Sequence, residues 1–269
     1  MRGELMPPYV ISRAPAGADG CVAVTSDVTA GVIEVAVRGR WSPALRMAVW
    51  TAVTKCYVDH PQAVLVDLQA LDDPLASSAP AWWTMGATGL RMDPPVSVVV
   101  CLPPAAALAG RLNRLGAKRY LPVFASLAEA RTAVTARLPM TERSQLRLEP
   151  RPDAAGEART LTAEACRAWH LSPVRPRAEL IVAELVGNAV RHAGTGVLVT
   201  LTRRGAGVHL AVNDDDPRLP ALPEPAPRDR ATADDARHGL RAVHAAATVW
   251  GAMPTRTGKV VWALVRPGP

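Results

Sequence analysis

Within ELIVAELVGNAVRHA, Glu184, Asn188 and His192 recur every fourth residue. On a helix that spacing stacks them on one face and leaves Ile181, Leu185 and Val190 to serve a core. A carboxylate and a carboxamide one turn apart suit a divalent cation and a reacting oxygen, because magnesium takes oxygen ligands and keeps several of its waters. The same residues would serve equally as a solvated polar stripe, and the spacing does not choose between these readings.

The elements that would hold this helix follow from periodicity. After a Pro/Gly-rich tail, residues 1–20, apolar β-branched runs alternate with helical patterns: GVIEVAVRGR, QAVLVDLQAL and VSVVVCL read as strands. PALRMAVWTAVTKCYVDH, APAWWTMGATGL and AAALAGRLNRLG read as helices, and LPVFASLAEARTAVTARL adds a short strand and a last helix. This predicts an α/β domain over residues 21–140. The polar, Pro-rich PMTERSQLRLEPRPDAAGEA then marks a boundary. A second domain, residues 141–269, opens with a strand near Gln145–Glu149 and continues as two helices, a strand pair around Gly205 and Gly207, and a closing strand, KVVWALV. The segment 217–236 is too proline-rich for regular structure and long for a simple connection. No internal repeat relates the two halves.

Composition narrows the function classes. Hydrophobic residues make up 49% of the 269 but aromatics only 4%, so the cores must be built from Val, Leu and Ala. The net charge of +7 comes almost wholly from arginine, and no basic run is dense enough for a nucleic-acid arm. Direct nucleic-acid binding is therefore not expected. Cys21, Cys56, Cys101 and Cys166 are widely spaced without a C-x-x-C pair, which reads as buried reduced thiols. No apolar run reaches the ~18 residues of a membrane span, so neither membrane insertion nor a secretory leader is expected, and the location expected is cytoplasmic.

The second half resembles the anti-sigma factor serine kinases of the GHKL (HATPase_c) superfamily, in their actinobacterial form. ELIVAELVGNAVRHA is similar to that family's N box, HLAVNDDDPRLP to its adenine-contacting segment, RHGLRAVHAAATVWG to the box under the phosphates, and GKVVWALV to its closing strand. The resemblance covers about residues 144–266 and implies a Bergerat-type α/β sandwich that binds ATP and Mg2+. It implies Glu184 as general base, Asn188 as magnesium ligand, Asp214 as acceptor for the adenine amino group, and Gly239 as the point where backbone approaches phosphate. Arg237, His238 and His192 would be further nucleotide contacts, with 217–236 as the lid. Each also has a plainer role: Asp214 as a turn residue, Gly239 as a helix-start glycine, Arg237 and His238 as solvated loop residues, and His192 as a packing side chain. Asp216 and Arg237 stand where the family often has glycine, which implies weakened nucleotide affinity.

The first half resembles a STAS domain, the fold of anti-sigma factor antagonists, over about Cys21–Leu138, on QAVLVDLQALDDPLASSAP and LPVFASLAEA. In that family a serine at the start of the helix after this strand accepts a phosphoryl group. The direct register puts Ala76 there, and a small shift brings in Ser77 or Ser78. Both also read as N-cap residues of the following helix. Trp82 and Trp83 cannot both face inward. The two resemblances together imply a partner-switching regulator, either a serine/threonine-protein kinase or a non-catalytic ATP-binding module whose STAS domain caps the partner surface. Its partners would be a sigma factor, a separate antagonist, or a second copy in a homodimer. Tethering supplies an effective concentration on the order of millimolar for such a cap.

Overall fold

The computed structural model describes residues 9–10, 20–92, 95–117, 120–136, 142–220 and 235–268, with the side chains of 9–10 and 235–238 left aside. Two compact units form, one from Ile11–Met140 and one from Met1–Val10 with Thr141–Pro269. Each carries one sheet, and seven α-helices are present among the described residues, a mixed α/β architecture.

Strand β1 (Tyr9–Val10) lies in the stretch read as a tail, yet it belongs to the sheet of the second unit. In the first unit β2 (Gly20–Asp27) and β3 (Val32–Arg40) form an antiparallel hairpin. Strands β4 (Ala63–Asp72), β5 (Ser97–Cys101) and β6 (Val123–Phe124) then add in parallel, in the order β2-β3-β4-β5-β6. Parallel neighbours need crossover connections. Helices α1 (Pro43–Val58), α2 (Ala79–Leu90), α3 (Ala107–Arg114) and α4 (Leu127–Thr135) alternate with these strands accordingly. With helices on both faces, AVLV and VVVC run apolar without alternation. Ala63, Leu65, Val99 and Cys101 pack on Ala130 and Val134 of α4. Val64, Val66, Val98 and Val100 face the other way. There α2 comes so close that a Cβ on Gly89 would lie 3.0 Å from Val98 Cγ2 and 2.5 Å from the Val96 carbonyl oxygen.

The start of α2 departs from the sequence expectation. Ser78 occupies the N-cap position but makes no capping bond with its side chain. Asp73 does that work: its Oδ1 accepts from the Ser77 backbone N–H and its Oδ2 from that of Ser78, both at 2.9 Å. The Ser78 hydroxyl is instead turned inward, where it accepts the indole N–H of fully buried Trp82 at 2.9 Å. Trp83 is 38% exposed, so the tryptophan pair divides between core and surface. Cys56, Cys101 and Cys166 are buried free thiols, and burial pushes the Cys101 thiol up to about 12.

The second unit comprises β7 (Arg143–Leu148), α5 (Ala154–Ala168), α6 (Arg175–Ala193), β8 (Val197–Arg204), β9 (Gly207–Asp214), α7 (Asp235–Ala246), β10 (Val249–Pro254) and β11 (Lys259–Val265). Its sheet runs β1-β10-β11-β9-β8-β7, antiparallel except where β1 lies parallel to β10. Helix α6 buries Ala178, Ile181, Val182, Leu185, Val186 and Ala189, a stripe at the 3.6-residue period, in one core with Val199, Leu210, Val212 and Val261 of the sheet. Each fully buried Leu, Ile or Val side chain there stabilises by about 1.5–3 kcal/mol relative to exposure. Pro176 sits in the first turn of α6, and Gly194 ends the helix in the left-handed region at φ 61°. No described helix is long and apolar enough to cross a membrane.

Candidate functional site

The apolar stripe of α6 faces the sheet, which leaves Glu184 and Asn188 half-buried on its flank. There they meet Gly239, a buried residue inside α7. A Cβ at position 239 would lie 2.6 Å from Glu184 Oε2 and 3.3 Å from both Asn188 Oδ1 and Nδ2. Only a residue without a side chain lets the α7 backbone approach these two polar groups so closely. Gly239 is thus a close-approach glycine four residues into the helix rather than its opening residue.

The carboxylate of Glu184 has no hydrogen-bond partner among the described residues. Asn188 Oδ1 accepts from Arg191 Nη2 at 2.7 Å, while its Nδ2 is buried without a partner. His192, one turn beyond Asn188, is exposed and makes no described hydrogen bond, so the structure does not draw it into this cluster.

A second polar centre forms at the end of β9. Asp214 is 2% exposed and stands directly across the β9–β11 ladder from Lys259. Lys259 Nζ donates to Asp214 Oδ1 at 2.8 Å and to the Asp216 carbonyl at 3.1 Å. The Asp216 backbone N–H donates to the same Asp214 Oδ1 at 2.9 Å. Burial pushes the Asp214 carboxyl up from the ordinary carboxylate range, and the bond and charge of Lys259 oppose that shift. Asp216 is held down at about 2 by its bonds from Arg218, so the extra negative charge at this position has its own counter-ion. Gly258 is required here, because a Cβ would fall 2.1 Å from the Asp214 carbonyl oxygen. The Asp215 N–H donates to Thr195 Oγ at 3.3 Å, which ties the segment after α6 to the segment after β9.

Whether these groups suit a bound nucleotide and metal can be asked of the geometry. Gly239 keeps open a space beside Glu184 and Asn188 that any side chain would fill, and Asp214 offers a buried acceptor whose Oδ2 no described group occupies. Asn188 Oδ1 is an oxygen donor suited to magnesium once exposed Arg191 releases it, a cheap exchange for an exposed bond. No cluster of three His, Cys, Asp or Glu that could hold a metal by itself occurs among the described residues. The residues present fit both groups on these terms.

The first unit resolves the two serines. Ser78 is fully buried and committed to Trp82, whereas Ser77 is exposed and its Oγ–H donates to Asp73 Oδ1 at 2.9 Å. Burial alone would raise the Asp73 carboxyl, but the hydrogen bonds from Ser78 and Ser77 hold it below the ordinary range. Ala76, which the direct register places at the acceptor position, is buried at φ 50°.

The side chains of Arg237 and His238 and most of segment 217–236 lie outside the described residues. Lys259 was not anticipated as part of the site. The signal for it was present as a lone charge opening an otherwise apolar strand, KVVWALV.

Residues 148–263 match the family model of the histidine kinase-like ATPase domain. No curated protein matches the chain. Among solved structures, an anti-sigma factor antagonist from Mycobacterium paratuberculosis is similar at 21% identity, covering 45% of this chain and 98% of its own, with a TM-score of 0.36.

Proposed function

From a second unit that matches the histidine kinase-like ATPase domain, we propose an ATP-binding regulator of a partner-switching pathway, of the anti-sigma factor and serine-protein kinase type, with a STAS-like domain carried in cis. The observation that carries this reading is the convergence of Glu184 and Asn188 on the bare backbone of Gly239. Asp214 would receive the base through its amino group, and Asn188 Oδ1 would hold magnesium, which when bound would supply positive charge against the transferred phosphoryl group. Glu184, with no described partner to satisfy, takes the proton from an attacking serine hydroxyl.

The domain division follows the same reading: residues 21–140 as the STAS-like domain and 141–269 as the ATP-binding domain. Of the two serines weighed as phosphoacceptors, exposed Ser77 is the one a kinase can reach, its hydroxyl oriented by its bond to Asp73. Ser78 would have to leave the core first. The partners proposed are a sigma factor and a separate antagonist.

The test is transfer of labelled phosphate from MgATP to a separate STAS protein, and to Ser77 of the chain itself, in wild type and Glu184→Ala. Incorporation that disappears in the variant supports the kinase. ATP binding without incorporation in either form leaves the non-catalytic module. Absence of MgATP binding by the wild type removes both.

A further inference from the structure

Lys259 is an unexpected neighbour for a carboxylate that is to receive a ligand. Its Nζ donates to Asp214 Oδ1 at 2.8 Å and to the Asp216 carbonyl at 3.1 Å, and the Asp216 carboxylate stands 3.5 Å away as an ion-pair partner. Two donors, Lys259 Nζ and the Asp216 N–H, converge on one oxygen of Asp214 and leave Oδ2 without a partner among the described residues. Such an arrangement leaves one carboxylate oxygen of a residue 2% exposed available to a ligand.

We propose that Lys259 is the positioning and specificity-determining residue of the base site: it pins Asp214 Oδ1 so that Oδ2, an acceptor, faces an incoming ring amino group. This rests on the nucleotide reading above and deepens it. A 6-aminopurine gives Oδ2 the N–H it lacks. A 6-oxopurine sets an oxygen against that oxygen, and such a mismatch with a buried polar group discriminates strongly. Among the described residues, the charged groups facing Asp214 are Lys259 at the start of β11 and Asp216 after β9, the latter countered by Arg218. Without the ammonium, burial acts on the Asp214 carboxyl with only the Asp216 N–H opposing it, so the group takes up a proton more readily and ceases to be an acceptor.

The experiment is titration of the full chain with fluorescent methylanthraniloyl derivatives of ATP and GTP, between about pH 8 and 6, with folding followed by circular dichroism. Wild type is expected to bind the ATP derivative at least about tenfold more tightly than the GTP derivative, with little change across that range. Lys259→Met is expected to lose about tenfold or more for ATP and to lose further as the pH falls. Stranding a buried charge can unfold a chain, so Lys259→Gln is the second variant. Its amide can keep a bond to Oδ1 without the charge, and the expected outcome is near-wild-type affinity at about pH 8 that declines toward pH 6. Either folded variant matching wild type across the whole range overturns the role of Lys259 and leaves nucleotide binding standing. Equal affinity of wild type for the two derivatives does the same. Failure of wild type to bind either derivative removes the nucleotide reading and this inference with it.

Discussion

Replacing Gly239 by alanine sets two effects of opposite sign against each other. Residue 239 lies inside α7, where alanine is favoured over glycine by about 0.8–1.0 kcal/mol. The new Cβ, however, would stand 2.6 Å from Glu184 Oε2, and ordinary contact begins near 3.4 Å, so the carboxylate must retreat by about 0.8 Å. It is the far end of a flexible side chain, and turning it off its rotamer costs on the order of 0.5–1.5 kcal/mol. The two Asn188 amide atoms, at 3.3 Å, must also give slightly. Stability should thus change by no more than about 1 kcal/mol in either direction. A displacement of this size at a reacting group costs about 10²-fold in rate. Thermal unfolding, titration with MgATP and phosphate incorporation, measured on the same preparation, separate the terms. Near-wild-type thermal stability with incorporation down about 10²-fold is the expected pattern. A well-folded Gly239→Ala protein with unchanged nucleotide affinity and unchanged transfer would show that closeness between α7 and Glu184 serves packing alone.

Glu184→Gln keeps the volume of a half-buried side chain, so nucleotide affinity should stay close to wild type while phosphate transfer falls by about 10²-fold or more, read by labelled ATP. Ser78→Ala leaves the buried Trp82 indole N–H unsatisfied and should cost about 1–3 kcal/mol in urea unfolding. Ser77→Ala, at an exposed position, should cost no more than about 1 kcal/mol while removing the acceptor hydroxyl, which mass spectrometry of the phosphorylated chain would detect. Asp73 is held below the ordinary carboxylate range, so its contribution is complete above the unfolded value of about 3.9 and is lost as the pH falls through the lower folded value. Asp73→Asn should therefore lower stability near neutrality and flatten its acid dependence below about pH 4, measured by urea midpoints across that range.

Much of this arrangement was legible in the sequence because periodicity writes itself into composition. The stripe Ala178, Ile181, Val182, Leu185 and Val186 declares a helix with one buried face, and the four-residue spacing of Glu184 and Asn188 places both on its flank. His192 obeys the same spacing yet ends exposed, because the stripe rotates around the helix and α6 ends one residue later. The runs VLV and VVVC declare strands covered on both faces. Strand β10, VWGAMP, escaped because Gly251, Ala252 and Pro254 are poor strand formers, and pairing with β11 and β1 holds the segment extended. The Asp214–Lys259 pair escaped for another reason. The two residues are far apart in the chain, and only the β9–β11 register puts them face to face. The cap of α2 was assigned to the nearest serines, whereas Asp73, five residues before Ser78, reaches across the turn to take both backbone N–H groups. Local pattern reveals elements, but which polar atoms meet is decided by pairing.

Tyr9–Val10 lie beside Gly251–Ala252, while the residues that follow them build a different sheet before the chain returns at position 141. In connectivity, then, the first unit is an insertion between β1 and β7, the two opposite edges of one sheet, rather than a bead threaded ahead of its companion. Severing the chain near 140 would strip β10 of its outer neighbour and bare a row of backbone N–H and C=O groups, the kind of margin on which foreign strands dock and aggregates seed. Tyr9 and Val10 cover Gly251 and Ala252, the middle of that margin.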